Sequence, residues 1–418
     1  MILKIELENF FSIRDRVCID FRAGNINTEQ SRKLADNVIV WKSIKILKSI
    51  GLFGPNASGK TSILKAINFC QMLIRRSQRY GGDDVFRYEP FKFGGHDRPS
   101  VFLIDFVLDD TEYEYSFSLL HSEIIAESLY HYPNNRRARI FVRRGNDYRF
   151  SEGVLPRPKD VELNTGSKNL FLSQAASMNR ELAQKLCRYF SVPWMRWGQE
   201  SIFPPWRRPG FEKLFDDNKR LIVAALAASD SDIYDIEKYR DIISPEELQI
   251  DRTADDIMRR DVSMFRMCKF RTYHRIDGRI PFDLEEESLG TRKLFALLAV
   301  LIDAAKNRRS IVLDEFDSSL HANIAEFVLD IVNASSQSQL LFTSHNLSLI
   351  NADRLRKDQI VFVSKNNKSG ATEISSLYDY SDFRGGMNAE KAYRQGRFDA
   401  VPVVTLSVKD IKRLFEEE

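Results

Sequence analysis

The 418 residues are 43% hydrophobic and 29% charged, with a formal net charge of +3. That balance suits a globular chain of two or three domains, excludes a disordered protein or one coated in nucleic acid, and permits at most a local basic patch. Cys18, Cys70, Cys187 and Cys268 lack C-x-x-C spacing and no apolar run approaches the ~20 residues of a membrane span, so the expectation is a reduced cytoplasmic protein with no disulfide frame, zinc hook or membrane partner.

In chain order, MILKIELENF alternates apolar and polar residues like a first strand rather than a signal peptide. An apolar strand over Ile46 to Phe53 then leads into Gly54, Pro55, Asn56, Ala57, Ser58, Gly59, Lys60, Thr61 and Ser62, which opens the helical run TSILKAINF. A G-x-x-x-x-G-K-[ST] turn in that setting aims backbone N–H groups and a helix N-terminus at one point, where Lys60 meets the β/γ-phosphates and Thr61 a Mg²⁺ ion. ATP and Mg²⁺ are therefore the expected cofactors.

Further on, the runs 101–108 and 112–119 flank Asp109-Asp110-Thr111, a hairpin signal, and alternation over 121–132 and 138–142 extends it into an antiparallel sheet. Residues 161–285 read as mainly helical, for instance 179–190 and 211–228, with an aromatic, Pro-rich interruption at 192–210. They lack sustained heptads, so a compact helical lid is predicted rather than a coiled-coil arm. Between 252 and 275 basic residues interleave with aromatic ones, a pattern open either as a face for a phosphate backbone or as an ordinary solvated surface offset by its aspartates.

Beyond the insertion, Glu287-Ser288-Leu289-Gly290-Thr291 opens the helix KLFALLAVLIDAA, and Ser310 to Glu315 forms a buried-strand pattern ending in two carboxylates. There Asp314 is placed to hold Mg²⁺ and Glu315 to polarise the attacking water. Leu340 to Ser344 is a second apolar strand ending in His345, placed to sense the γ-phosphate or hold the water.

This order of motifs resembles the ABC-type ATPases that include chromosome-maintenance and Rad50-like proteins. More closely, GPNASGK, PFKF, ESLGTRKLFALL, LDEFDSSLH and EKAYRQGRFDAVP resemble the stand-alone AAA_15-type bacterial ATPases, the RloA-like, abortive-infection AbiL-like and AriA-like proteins. The resemblance implies an α/β P-loop NTPase of the ABC-ATPase head type with an antiparallel β subdomain and an inserted helical lid. It implies an N-terminal lobe over 1–160, the lid over 161–285, and a C-terminal lobe over 286–418. Ser288 and Gly290 become a signature turn that reaches the nucleotide of a partner subunit, Ser318 to His321 the D-loop, and Gln174 a metal-side glutamine coupling nucleotide to lid. The function implied is an ATP-hydrolysing switch in prokaryotic anti-phage defence, working as a homodimer or higher homo-oligomer. A separate TOPRIM-type nuclease would be the effector, since the stretch after His345 is short for a fused one, and DNA or a phage protein the trigger. A Rad50/RecF-like DNA-repair ATPase that binds DNA directly is the alternative.

Overall fold

The computed structural model describes residues 1–81, 84, 86, 88–190, 194–196, 205–207, 210–229, 232–242, 266–276, 280–383, 387–398 and 400–401. Its centre is a six-stranded sheet in the order Trp194–Arg196, Ser310–Asp314, Gln339–Ser344, Ser49–Phe53, Ile360–Lys365, Thr372–Ser376, parallel except for the last strand. Three of these strands, 49–53, 310–314 and 339–344, are buried at every residue, which explains their unbroken apolar runs.

Period-two alternation splits this sheet between two cores. Val312, Leu341, Val361 and Val363 face one cluster, and Ile311, Leu313, Leu340, Phe342, Ile360 and Phe362 face the other. On the first face lies the helix Lys60–Arg76, whose Ile63, Leu64, Ile67, Leu73 and Ile74 also meet a seven-stranded antiparallel sheet. That sheet runs 147–150, 138–144, 123–131, 111–120, 100–108, 2–8, 17–20. The second face is covered by the helices Leu289–Asn307 and Ala322–Ala334. The fold is thus the α/β ATPase head with an antiparallel β subdomain that the motifs imply. The 111 hairpin forms with Asp109 and Asp110 at φ of 47° and 60°, the two left-handed residues that a tight hairpin turn requires.

Residues 161–285 differ in part from the mainly helical lid expected there. Helices Pro158–Leu163, Phe171–Ser177, Glu181–Tyr189 and Phe211–Ala228 form as expected. Ile233–Ile242, Arg266–His274 and Pro281–Asp283 instead make a three-stranded antiparallel sheet. The reason is only partly local: RMCKFRTYH alternates Cys268, Phe270 and Thr272, whereas IYDIEKYRDI repeats its apolar residues at every third position and takes strand form by pairing with it across a bulge between Ile233 and Asp235. Phe270 from this sheet is fully buried, with its ring centroid 5.7, 5.0 and 5.3 Å from those of Phe211, Phe215 and Phe295. Most of the 192–210 interruption, and 243–265 with Arg252, Arg259 and Arg260, lie outside the described residues. No helix among the described residues is long and apolar enough to cross a membrane.

Gln339, at the start of its strand, ties the two sheets together. Its buried amide accepts from Ile2 N at 2.6 Å and donates to Ile2 O at 2.9 Å and Leu47 O at 3.2 Å. Gln339→Leu keeps the volume but orphans these buried backbone groups, and we expect a loss of about 2–4 kcal/mol. Urea unfolding of the variant checks it, and an unchanged midpoint would refute this role.

Candidate functional site

The turn after Ser49–Phe53 is built so that no side chain fits at its two glycines. A Cβ on Gly59, whose φ is +110°, would lie 1.9 Å from Thr372 Oγ1, and one on Gly54 would lie 2.1 Å from Val363 O. Thr372 Oγ1 donates to Ser58 O at 3.0 Å and lies 2.7 Å from Ser12 Oγ, clamping the loop from outside. Asn56 and Ala57 are exposed at the tip, while Ser58 Oγ is buried without a hydrogen-bond partner. Lys60 is buried, and its Nζ donates to Gly54 O at 2.7 Å and Pro55 O at 3.0 Å. Burial lowers its pKa to about 8, against the opposing pull of Glu315 and Asp314.

Across from this loop, Thr61 Oγ1 lies 3.4 Å from Asp314 Oδ1. Thr343 Oγ1 donates to the same oxygen at 2.7 Å and accepts from Glu315 N at 2.8 Å, so one hydroxyl fixes both consecutive acids. Glu315 has a left-handed backbone, φ +46°, and its Oε1 is 3.7 Å from His345 Nε2. Burial and then the Lys60 charge lower the His345 pKa, keeping the imidazole neutral. Asp317 accepts from Ser344 Oγ at 2.8 Å, a third link between the two strand ends. Lys60, Thr61, Asp314, Glu315 and His345 therefore converge at the carboxyl ends of neighbouring parallel strands, where open α/β sheets place ligands.

A nucleotide with its metal fits these residues. An orphaned Ser58 hydroxyl, two glycines that exclude a Cβ, and the leading N–H groups of a helix form an anion cradle. The oxygen pair from Thr61 and Asp314 suits a hard divalent ion such as Mg²⁺.

Other expected site residues lie elsewhere. Ser288 is exposed and caps the helix Leu289–Asn307, accepting from Thr291 N at 3.1 Å. This helix packs on the face of the parallel sheet opposite to the Lys60–Arg76 helix, so Ser288 and Gly290 do not join the Lys60 group. Gly290 lines a cavity of about 270 Å³ with Ser319, His321, Glu287 and His274. There His274 bridges Asp232 at 2.6 Å and Glu287 at 2.8 Å, and although burial works against the charged ring, these hydrogen bonds outweigh it and raise its pKa.

Gln174 as a metal-side residue is corrected. Its helix is bound to the far end of Lys60–Arg76, where Ser173 accepts from Gln78 N and Leu170 N donates to Ser77 Oγ. That is roughly 24 Å of helix from Thr61 at 1.5 Å per residue. Within the basic stretch Arg271 pairs with Asp283 and His274 with Asp232 and Glu287, and on the neighbouring strand Lys238 and Arg240 pair with Glu212.

Sequence reasoning missed Thr343, Ser12, Thr372 and Lys293. The first three are hydroxyl residues with no motif of their own. Lys293 carried a signal, a cation set against the apolar run of its helix, and it is fully buried.

A model of the AAA_21 family, described as "AAA domain, putative AbiEii toxin, Type IV TA system", matches residues 49–351. The chain belongs to this family, whose match spans the phosphate loop, both carboxylates and His345. The solved structures it is similar to include an SmcHead bound to the C-winged helix domain of ScpA, at 15% identity over 94% of this chain and 99% of that one, TM-score 0.45. Others are the SMC head domain from Thermotoga maritima, at 15% over 90% and 98%, TM-score 0.40, and a Pyrococcus furiosus Smc head with an extended coiled coil bound to the C-terminal domain of ScpA, at 14% over 95% and 98%, TM-score 0.41. No curated protein matches.

The position of Lys60 predicts proton uptake. Phosphates arriving beside an ammonium of pKa about 8 raise that pKa, so at pH 8 ATP binding should take up about half a proton. Calorimetry in buffers of differing ionisation enthalpy measures this number. Uptake that persists in Lys60→Met would assign it to another group.

Proposed function

We propose that the chain binds Mg²⁺-ATP and hydrolyses it as a slow conformational switch, in a head-to-head homodimer or higher homo-oligomer. One observation carries this reading: Lys60, Thr61, Asp314, Glu315 and His345 meet at one point. Gly54, Pro55, Asn56, Ala57, Ser58, Gly59 and Ser62 would enclose the phosphates through backbone and hydroxyl groups, and Lys60 would neutralise them. Thr61 and Asp314 would hold the metal. When bound, the metal and triphosphate supply the reactive anhydride and polarise its leaving group. Glu315 would orient and deprotonate the attacking water, with neutral His345 beside it as a hydrogen-bond partner. Residues 1–160 and 286–418 would form the head, and 161–285 the lid.

Ser288 stands on the opposite sheet face from its own phosphate loop, which supports service to a second subunit's nucleotide. The wider reading is a cytoplasmic anti-phage defence ATPase of the AAA_15-type subgroup, RloA-like, AbiL-like or AriA-like, triggered by DNA or a phage protein and controlling a separate TOPRIM-type nuclease. The family description, a toxin of a toxin–antitoxin system, supports the defence setting. The paired charges on the 233–274 strands give the DNA-repair reading less support.

Glu315→Gln should retain ATP affinity, because Asp314 and Lys60 remain, while turnover falls at least 100-fold and the ATP-bound closed form accumulates. Single-turnover hydrolysis checks this, and a wild-type rate would remove Glu315 from the chemistry.

Shared sites predict complementation. Ser288→Asp keeps an acceptor for Thr291 N but sets a carboxylate against the partner's γ-phosphate, so it and Lys60→Ala should each be inactive alone. Mixed, they form one site with an intact phosphate loop and an intact Ser288, and ATPase activity should return. If the mixture stays inactive, Ser288 acts within its own chain or not at all.

A further inference from the structure

The helix Leu289–Asn307 buries a lysine where a leucine would fill the space more cheaply. Lys293 is fully buried, and its Nζ donates to Glu315 O at 2.7 Å, Ser318 O at 2.7 Å and Ser318 Oγ at 2.5 Å. An ammonium has three donors, and these bonds match all three. The turn they grip is backbone-strained at two non-glycine residues, Glu315 at φ +46° and Ser319 at φ +66°. A left-handed Glu315 turns its carbonyl inward toward Lys293 while its side chain reaches His345. The same helix is pinned to the turn at Gly290, where a Cβ would lie 2.8 Å from Ser319 O. Burial lowers the Lys293 pKa to about 8, opposed by Asp317 and Glu315, so the ammonium is held there at a desolvation cost that these acids and its bonds to the turn offset in part.

We propose that Lys293 is a positioning residue for Glu315: by binding the carbonyls of Glu315 and Ser318 it fixes the left-handed turn that presents the Glu315 carboxylate to the water. This rests on the ATPase reading above. In this role Lys293 works through the turn that its Nζ binds. It acts within its own chain, because the carbonyls it binds belong to the acid turn of the same subunit.

The test uses full-length Lys293→Met, which keeps length and volume and removes the donors. ATP affinity, read with a fluorescent ATP analogue, should change less than threefold, while kcat falls at least 30-fold. Ser318→Ala, which deletes only one acceptor and disturbs folding less, should lower kcat about threefold at unchanged KM. The complementing pair separates positioning from general damage. The one active site in that mixture uses Glu315 of the Ser288→Asp chain, so adding Lys293→Met to that chain should reduce activity at least tenfold more than adding it to the Lys60→Ala chain. Equal losses in both arrangements, or a wild-type kcat in Lys293→Met while Glu315→Gln is inactive, would overturn the proposal and leave the ATPase reading standing. A wild-type rate in Glu315→Gln would instead remove Glu315 from the chemistry and this inference with it, whereas absence of ATP hydrolysis by the unmutated protein would overturn the ATPase reading.

Discussion

Two buried ammonium groups bracket one short acidic turn, and much of the head is arranged around that constraint. Lys60 approaches Asp314 and Glu315 from the phosphate-loop face of the parallel sheet, and Lys293 approaches Glu315 and Asp317 from the other. Each is desolvated enough to bring its pKa down to about 8. Both donate to backbone carbonyls, Lys60 to its own loop and Lys293 to the turn, so the charges interact through space while the hydrogen bonds fix geometry. An arrangement of this kind gains little stability as such, since desolvation offsets most of the Coulomb attraction. What it provides is a fixed placement for two carboxylates that must not swing.

The remaining polar groups near the turn follow from the same need. Thr343 holds Asp314 and the Glu315 N–H with one hydroxyl, and Ser344 holds Asp317. Both hydroxyls come from the end of the 339–344 strand, directly beside the strand that carries the acids. Consecutive strand residues point to opposite faces, so Thr343 and Ser344 can serve acids on opposite sides of the sheet edge. The phosphate loop is fixed with equal economy by Ser12 and Thr372, which come from opposite ends of the chain.

The parts legible in the sequence were those whose chemistry needs a fixed spacing or a long period. GPNASGKT, the LDE strand end, and the Asp109-Asp110 hairpin each compress a backbone requirement into a few residues, and all three took the backbone form expected. The continuous apolar runs of the central strands read as buried because every residue in them is buried. The 233–283 sheet was less legible, because Ile233, Ile236, Tyr239 and Ile242 recur at every third position as on a helix face, and the bulge between Ile233 and Asp235 breaks the strand alternation. Gln174 failed for a different reason: a glutamine on an amphipathic helix carries no local mark of what it faces, and only the packing of Ser173 and Leu170 against Ser77 and Gln78 sets its place. Lys293 is the instructive case. Its apolar neighbours announced a buried helix, and a lysine inside such a helix already demanded a partner that sequence alone could not name.

A parallel sheet whose neighbouring strands 49–53 and 339–344 lie far apart in the sequence must hold them in register without continuous chain. Apolar contact alone would tolerate sliding, since one methyl group packs much like another. Here buried amides and one buried ion pair bridge such separations. Asn37 donates to Gln359 Oε1 at 2.8 Å and to Arg354 O at 2.7 Å, and Gln359 donates to Ser49 O and Ser49 Oγ at 3.0 and 2.8 Å. Arg356 and Asp358 pair at 2.7 Å and together bind the backbone of Gly24. Each such group is costly if misaligned, so a one-residue slip of the 360–365 strand against 49–53 would strand several of them at once. On the other side of 49–53, the strand that the phosphate loop follows, Gln339 binds Leu47 O and Ile2 O and so holds in register the strand that pairs with 310–314, which carries Asp314. The geometry of the candidate site therefore depends on groups buried well below it.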